Sequence, residues 1–295
     1  MDVVFLEPQS LEDAIAMAQS AGPSAKFIAG GTDLIIQARK SGTWPKTIIN
    51  LQRLPGLGEI VEAAPNWHLG ALVTHRQIES DARFLGSLLA LRESACVIGG
   101  HQVRNVATIG GNICNASPAA DMLPVLLCLN AKVTLAGVAG ARVVPLCEFI
   151  EGPRKTVRAI GEVVTQVQFA APAARSGSAF LKGGRRRAME ISIVAMAAVV
   201  SAGADGTMTD VRLAVGAAGP KAIRLPEVEK FLEGKVPSKS VLQEAGALAV
   251  SAVSPIDDVR ASASFRRHLT AVYTRRAIET SWNRIVELGN DRSAA

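Results

Sequence analysis

The chain has 295 residues, 48% of them hydrophobic and 20% charged, with a formal net charge of +6. At roughly 100–200 residues per domain the length predicts two or three domains, and the apolar content excludes a disordered chain. Aromatic residues make up only 4%, too few stacking rings for a single-strand nucleic-acid binder, so the basic excess points instead to an anionic cofactor or an acidic partner.

The N-terminal MDVVFLEPQS has neither a basic leader nor an apolar signal core, which predicts a cytoplasmic protein. Residues 1–57 read as a first α/β unit. Ser10 is a helix N-cap with Asp13 in the first turn, and Leu11, Ala14, Ile15 and Ala18 keep helical spacing until Gly22 and Pro23 stop them. Lys26–Ala29 reads as a strand, Leu34–Ala38 as a short helix, and Thr47–Leu51 as a buried strand.

Residues 58–175 form a second unit. It holds a strand at Trp67–Val73, a helix at Gln77–Leu91, and a glycine-rich stretch from Gly99 to Asn112. Ser117 and Pro118 are a cap-plus-proline helix start, predicting a helix to about Leu129, before strands at Lys132–Leu135 and Glu162–Phe169. Ala170–Ser178 is small, polar and proline-containing, and reads as a linker.

Residues 176–295 form a third, α+β unit. Its strands are Phe180–Lys182, Ile191–Val200 and Val211–Ala217, with a hairpin signal at Gly203–Gly206 and helices at Ser238–Ala252 and Phe265–Val286. The longest uncharged apolar stretch, Ile191 to Ala204, contains Ser192 and Ser201 and falls short of the roughly 20 residues a membrane-spanning helix needs.

Two glycine pairs carry the chemistry. Ala29-Gly30-Gly31-Thr32-Asp33 lies between a strand and a helix, and Thr108-Ile109-Gly110-Gly111-Asn112 lies in the second unit. A glycine pair adopts positive φ and lets a ligand approach the backbone, and successive amides form a cradle for phosphate. Neither motif has G-x-G-x-x-G spacing and no G-x-x-x-x-G-K-[ST] occurs, so the dinucleotide-fold and P-loop patterns are excluded. Two such loops suit the two halves of a dinucleotide pyrophosphate; ordinary turns are the alternative. Cys96, Cys114, Cys128 and Cys147 form no CxxC pair, and none of His68, His75, His101 and His268 pairs at ligand spacing, so no metal or iron–sulfur centre is expected on this chain.

The sequences AGGTDL and TIGGN, followed by Ser117-Pro118-Ala119-Ala120-Asp121, resemble the FAD-binding medium subunit of the molybdenum hydroxylases. This is the group of xanthine dehydrogenase, carbon monoxide dehydrogenase and bacterial aldehyde dehydrogenase. The resemblance runs from Phe5-Leu6-Glu7-Pro8 through Leu69-Gly70-Ala71, Gln102-Val103-Arg104-Asn105, Lys182 and Ala214–Pro220 to a basic C-terminal helix with Arg266, Arg267, Arg275 and Arg276.

It implies an α+β protein: a two-subdomain FAD-binding fold of the vanillyl-alcohol oxidase/PCMH type, followed by a C-terminal flavoprotein domain. Ala29, Gly30, Gly31, Thr32 and Asp33 would wrap the pyrophosphate. Thr108, Ile109, Gly110, Gly111 and Asn112 would supply a second wall, Asn112 through its side chain. Asp121 matches a family aspartate that contacts the cofactor; a helix first-turn carboxylate is the other reading. Lys182 matches a lysine near the flavin, where a cation favours the anionic reduced ring; a surface lysine is the alternative. Ile191 falls where relatives place a side chain over the ring, or is core. Arg185-Arg186-Arg187 reads as a solvated turn or as a face toward an acceptor or partner. His101 and Cys114 read as structural.

The implied function is electron transfer within a three-component enzyme. A large subunit with a molybdenum cofactor oxidises the substrate, and a small subunit with two [2Fe–2S] clusters passes electrons to the FAD on this chain. From there they leave to an external acceptor, and the assembly is expected to be a dimer of heterotrimers. No catalytic acid, base or nucleophile is expected here. A self-contained flavin oxidoreductase on the same fold, or a scaffold subunit without cofactor, are the rival readings.

Overall fold

The computed structural model describes residues 3–186 and 189–293, with side chains to residue 287, so Arg187 of the basic triplet lies outside the described residues. Strand β1 (Val4–Leu6) leads to helix α1 (Leu11–Ala21). Ser10 Oγ accepts the Asp13 amide at 3.1 Å, and Gly22 ends the helix at φ +62°. Strand β2 (Ala25–Ile28), helix α2 (Leu34–Ser41) and strand β3 (Thr47–Asn50) complete a three-stranded parallel sheet of order β1-β3-β2. Ala14, Ile15 and Ala18 of α1 pack with Ile49, Leu51 and Leu54 as a small core.

The second unit places strands β4 (Ile60–Ala63) and β5 (Asn66–Gly70) before a run of short helices: α3 (His75–Ser80), α4 (Leu89–Cys96), α5 (His101–Arg104), α6 (Ile109–Asn115) and α7 (Met122–Cys128). Then follow β6 (Lys132–Gly137), β7 (Gly140–Pro145), α8 (Leu146–Phe149), the β8 (Ile150–Gly152) and β9 (Lys155–Thr156) pair, and β10 (Val163–Ala170). The antiparallel order β4-β5-β10-β6-β7 builds a five-stranded sheet.

Three expectations are corrected here. The single helix at Gln77–Leu91 is broken: the Asp81 amide closes α3 on the Gln77 carbonyl, its carboxylate caps a 3₁₀ turn at Ala82–Phe84, and Gly86 takes φ +63°. The helix expected from Ser117 begins at Met122. Ala116 has φ +45°, Ala120 closes a turn on the Ser117 carbonyl at 3.0 Å, and the Pro118 carbonyl is engaged by the Ala217 amide at 2.8 Å. That carbonyl is therefore lost to helical pairing. The linker ends early, because Ser176 and Ser178 lie in a buried strand with their hydroxyls satisfied, by Ser201 Oγ at 2.7 Å and by the Ala90 amide at 3.0 Å.

That strand is β11 (Ser176–Gly183), and it joins β12 (Val194–Ala202), β13 (Met208–Gly216) and β14 (Ile223–Arg224) in a four-stranded antiparallel sheet. Helices α9 (Pro226–Leu232), α10 (Lys239–Ser251) and α11 (Ala263–Ser293) follow. Met196, Ala198 and Val200 of β12 share a core with Ala277 and Ile278 of α11. On the other face Ala195, Ala197 and Val199 join Leu123, Leu126 and Leu127 of α7. A strand buried on both faces reads as a continuous apolar run, which accounts for the hydrophobic stretch around residue 200. Among the described residues no helix is long and apolar enough to cross a membrane.

Candidate cofactor site

Ala29, Gly30, Gly31, Thr32 and Asp33 connect the carboxyl end of β2 to α2, the end of a parallel sheet where ligands bind. Gly31 has φ +70°, so the turn needs glycine. Gly30 is fixed by close approach: a Cβ there would fall 1.9 Å from the Val106 carbonyl oxygen. Within the described residues the amides of residues 29–33 make no hydrogen bond. Asp33 is exposed at the start of α2. Crowding by the surrounding chain raises its pKa, against the Arg154 guanidinium and the Asn115 amide.

The second glycine motif is not a loop. Thr108 caps α6, its Oγ1 accepting the Gly111 amide at 3.1 Å, and Ile109 to Asn112 form the first turn of that helix. Every amide in that turn is engaged: Ile109 on the Val73 carbonyl, Gly110 on Ala71, Gly111 on Thr108 Oγ1 and Asn112 on the Thr108 carbonyl. Gly110 is required because a Cβ would meet the Ala71 oxygen at 2.7 Å. What this motif still offers a ligand is the exposed backbone of Gly111 and the Asn112 side chain, whose Oδ1 is buried with no partner. The Gly30–Val106 contact sets the two motifs side by side.

Asp121 and Lys182 meet across the two halves of the chain. Lys182 Nζ, from β11, donates to Asp121 Oδ2 at 2.7 Å and to the Val97 carbonyl at 3.0 Å. Ser192 Oγ donates to Asp121 Oδ1. Burial raises the Asp121 pKa, and Lys182 and Ser192 oppose that rise. A cleft of about 400 Å³ opens beside this pair, lined by Val97, Lys182, Gly184, Met189, Glu190 and Tyr273. Arg185 and Arg186 also border it; Arg186 is held by the Met189 carbonyl at 2.7 Å and by Glu190 at 3.2 Å. Ile191 is half exposed next to Ser192.

The remaining candidates fall outside reactive chemistry. Burial pushes the Cys114 and Cys128 thiols up to about 11 and about 12, so both stay protonated at neutral pH. His101 is exposed, with Nδ1 3.1 Å from Arg104 Nη2. Among the described residues no group of three or more His, Cys, Asp and Glu side chains is placed to hold a metal.

These residues fit a dinucleotide. Free amides at a positive-φ glycine turn suit a pyrophosphate, the orphaned Asn112 Oδ1 lacks a donor that a bound nucleotide can supply, and Lys182, paired with Asp121, lines a cleft.

The sequence matches the family described as FAD binding domain in molybdopterin dehydrogenase over residues 1–172, and the CO dehydrogenase flavoprotein C-terminal domain over residues 179–281. The chain belongs to the FAD-binding medium subunits of the molybdenum hydroxylases. It is 33% identical to a putative xanthine dehydrogenase FAD-binding subunit of Escherichia coli over 91% of this chain and 92% of that one. It is 31% identical to the carbon monoxide dehydrogenase medium chain of Afipia carboxidovorans, over 93% and 95% of the two chains. Among solved structures, CO dehydrogenase from Oligotropha carboxidovorans superposes with a TM-score of 0.92 at 28% identity, over 96% of this chain and 99% of that one. Quinoline 2-oxidoreductase from Pseudomonas putida 86 superposes at 0.90 and 28%, over 96% and 98%.

In this medium subunit, sequence reasoning missed Ser192 and Val97. Ser192 sits inside an apolar run and carries no signal of its own. Val97 acts through its backbone carbonyl, which the side-chain pattern does not report.

Proposed function

We propose that this chain holds FAD in the site described and passes electrons between two [2Fe–2S] clusters on a small subunit and an external acceptor. A large molybdenum-cofactor subunit completes the assembly, a cytoplasmic dimer of heterotrimers. The observation that carries the reading is the Gly30–Val106 contact, which sets the unpartnered amides of residues 29–33 beside the second motif. FAD supplies the redox chemistry when bound, since a flavin takes electrons singly and releases one or two. The residues of this chain bind and orient it. The amides of Ala29, Gly30, Gly31, Thr32 and Asp33 receive the pyrophosphate, with Asn112 Oδ1 accepting from the nucleotide at the second wall and Thr108, Ile109, Gly110 and Gly111 shaping it. Lys182, held by Asp121, places one cation at the ring cleft.

The test is the visible spectrum and released-flavin content of the purified chain. Noncovalent FAD near one per chain supports the site. A colourless chain that takes up none from excess FAD overturns it. Turnover of an organic substrate by the isolated chain would replace the electron-transfer role with a self-contained oxidoreductase. Gly111→Ala is the sharpest variant: Gly111 is exposed and the added Cβ meets only Thr108 Oγ1, at 3.0 Å, so flavin per folded chain is expected to fall. Full flavin in that variant removes residues 108–112 from the site.

A further inference from the structure

One stretch of chain, residues 97–108, touches every part of this site. Val97 lines the cleft and its carbonyl accepts Lys182 Nζ. Gly99, at φ +53°, folds the stretch back so closely that a Cβ there would meet Val103 Cβ at 2.8 Å. The Val106 carbonyl lies against Gly30, and Thr108 caps α6.

A single buried side chain braces this stretch. Arg104 is 5% exposed. Its Nε donates to Glu79 Oε2 at 2.8 Å and its Nη2 to Glu79 Oε1 at 3.3 Å, a forked pair that fixes direction as well as charge. Its Nη1 donates to the Ile98 carbonyl at 3.2 Å and reaches the Gly99 carbonyl at 3.5 Å. Glu79 is itself held by Arg76 at 3.3 Å. The same turn, residues 97–99, is thus gripped by Arg104 on one side and by Lys182 on the other. A buried ion pair is a poor source of net stability, because desolvation cancels most of the Coulomb gain. Its five donors in a rigid fork make it a good source of geometry.

We propose that Arg104 is a positioning residue for the flavin: it ties the 97–99 turn to α3 and so fixes the Lys182 cleft relative to the Gly30 contact and its amide cradle. The inference rests on the FAD reading above. Arg104 touches no cofactor in this account; it acts through the backbone of residues 97–106. Lysine at this position keeps the charge and loses the fork, so the turn and the cradle drift apart while the core stays filled.

The experiment compares the full-length wild type with Arg104→Lys and Glu79→Gln. Three quantities are read: FAD dissociation constant by flavin fluorescence, visible circular dichroism of the bound flavin, and thermal unfolding of the flavin-free chain. Arg104→Lys is expected to fold and to bind FAD about tenfold more weakly, and Glu79→Gln about threefold more weakly, both with an altered flavin dichroism band. Unchanged affinity and dichroism, with only the flavin-free chain destabilised, overturn the inference, because Arg104 is then purely structural. If Arg104→Lys does not fold, Glu79→Gln decides by the same readouts, and loss of folding in both also overturns it. A wild type that binds no FAD overturns the cofactor reading and this inference with it, and is recognised before any variant is compared.

Discussion

At residues 29–33 the backbone amides have no partner within the described residues, whereas at 109–112 each amide is engaged by Val73, Ala71 or Thr108. Both motifs are glycine pairs followed by a small polar residue. In the first, Gly31 provides a positive-φ turn and the donors stay available. In the second, Gly110 lets a helix start press against the strand end at Ala71. A glycine pair records that something comes close to the backbone; only the tertiary structure says whether that neighbour is a ligand or more protein.

The contrast breaks first at Gly30. Gly30→Val drives a side chain into the Val106 carbonyl, where even Cβ has only 1.9 Å. Overpacking of about 3 kcal/mol and loss of nearly all retained flavin are expected, read by urea unfolding and by flavin-to-protein absorbance. Wild-type flavin content in this variant would dissolve the pairing of the two motifs.

The interior side of the second motif, behind the exposed Gly111, should instead show itself in stability. His75 is buried beside it, its amide on the Ala107 carbonyl at 3.0 Å and its Nδ1 without a partner. Burial, reinforced by the Arg104 charge, pushes the His75 pKa down from 6.5 to about 4. The unfolded chain therefore takes up the proton first, so stability is full above pH 6.5 and falls as the pH drops toward 4. About 3 kcal/mol is at stake. Unfolding free energies measured across this range should fall for wild type and flatten for His75→Gln; parallel curves would remove His75 from the account.

Gly110→Ala places Cβ 2.7 Å from the Ala71 oxygen and should cost about 2 kcal/mol, leaving flavin per folded chain unchanged. A flavin loss larger than the unfolded fraction would make this motif a cradle like the first. Smallest is Thr108→Ala, which removes the cap of α6 at about 1 kcal/mol, checked by a shift in the urea midpoint.

Much of this was legible in the residues, for physical reasons that differ by position. Ser10 caps its helix as expected, because a short hydroxyl before an apolar period has one cheap use, and Ser238, read only as the start of a helix, serves the same way. Ser117-Pro118 carries the same signature and marks a turn, because the Pro118 carbonyl goes to Ala217, just past the end of the distant strand β13. Helix α9 went unread although Pro226, Glu227 and Glu229 mark its first turn; seven residues give too little periodicity. Asp121 and Lys182 were nominated separately by resemblance, but nothing local announces that they form a pair 61 residues apart. The glycine motifs were visible as motifs. Which one keeps its amides free depends on Val73 and Ala71, whose carbonyls no side-chain pattern describes.

Helix α11 carries Arg284, whose Nη1 donates to Glu93 Oε2 at 3.1 Å across a sequence separation of 191 residues, and the same carboxylate accepts the Phe180 amide at 2.9 Å. Glu93 of the second unit thus gains its charged partner in the third unit only once α11 is in place. The apolar faces of β11 and β12 that pack against α11 are buried by the same step. Lys182 lies on β11 and Tyr273 of α11 lines the same cleft, so docking of α11 also completes the wall of the cleft.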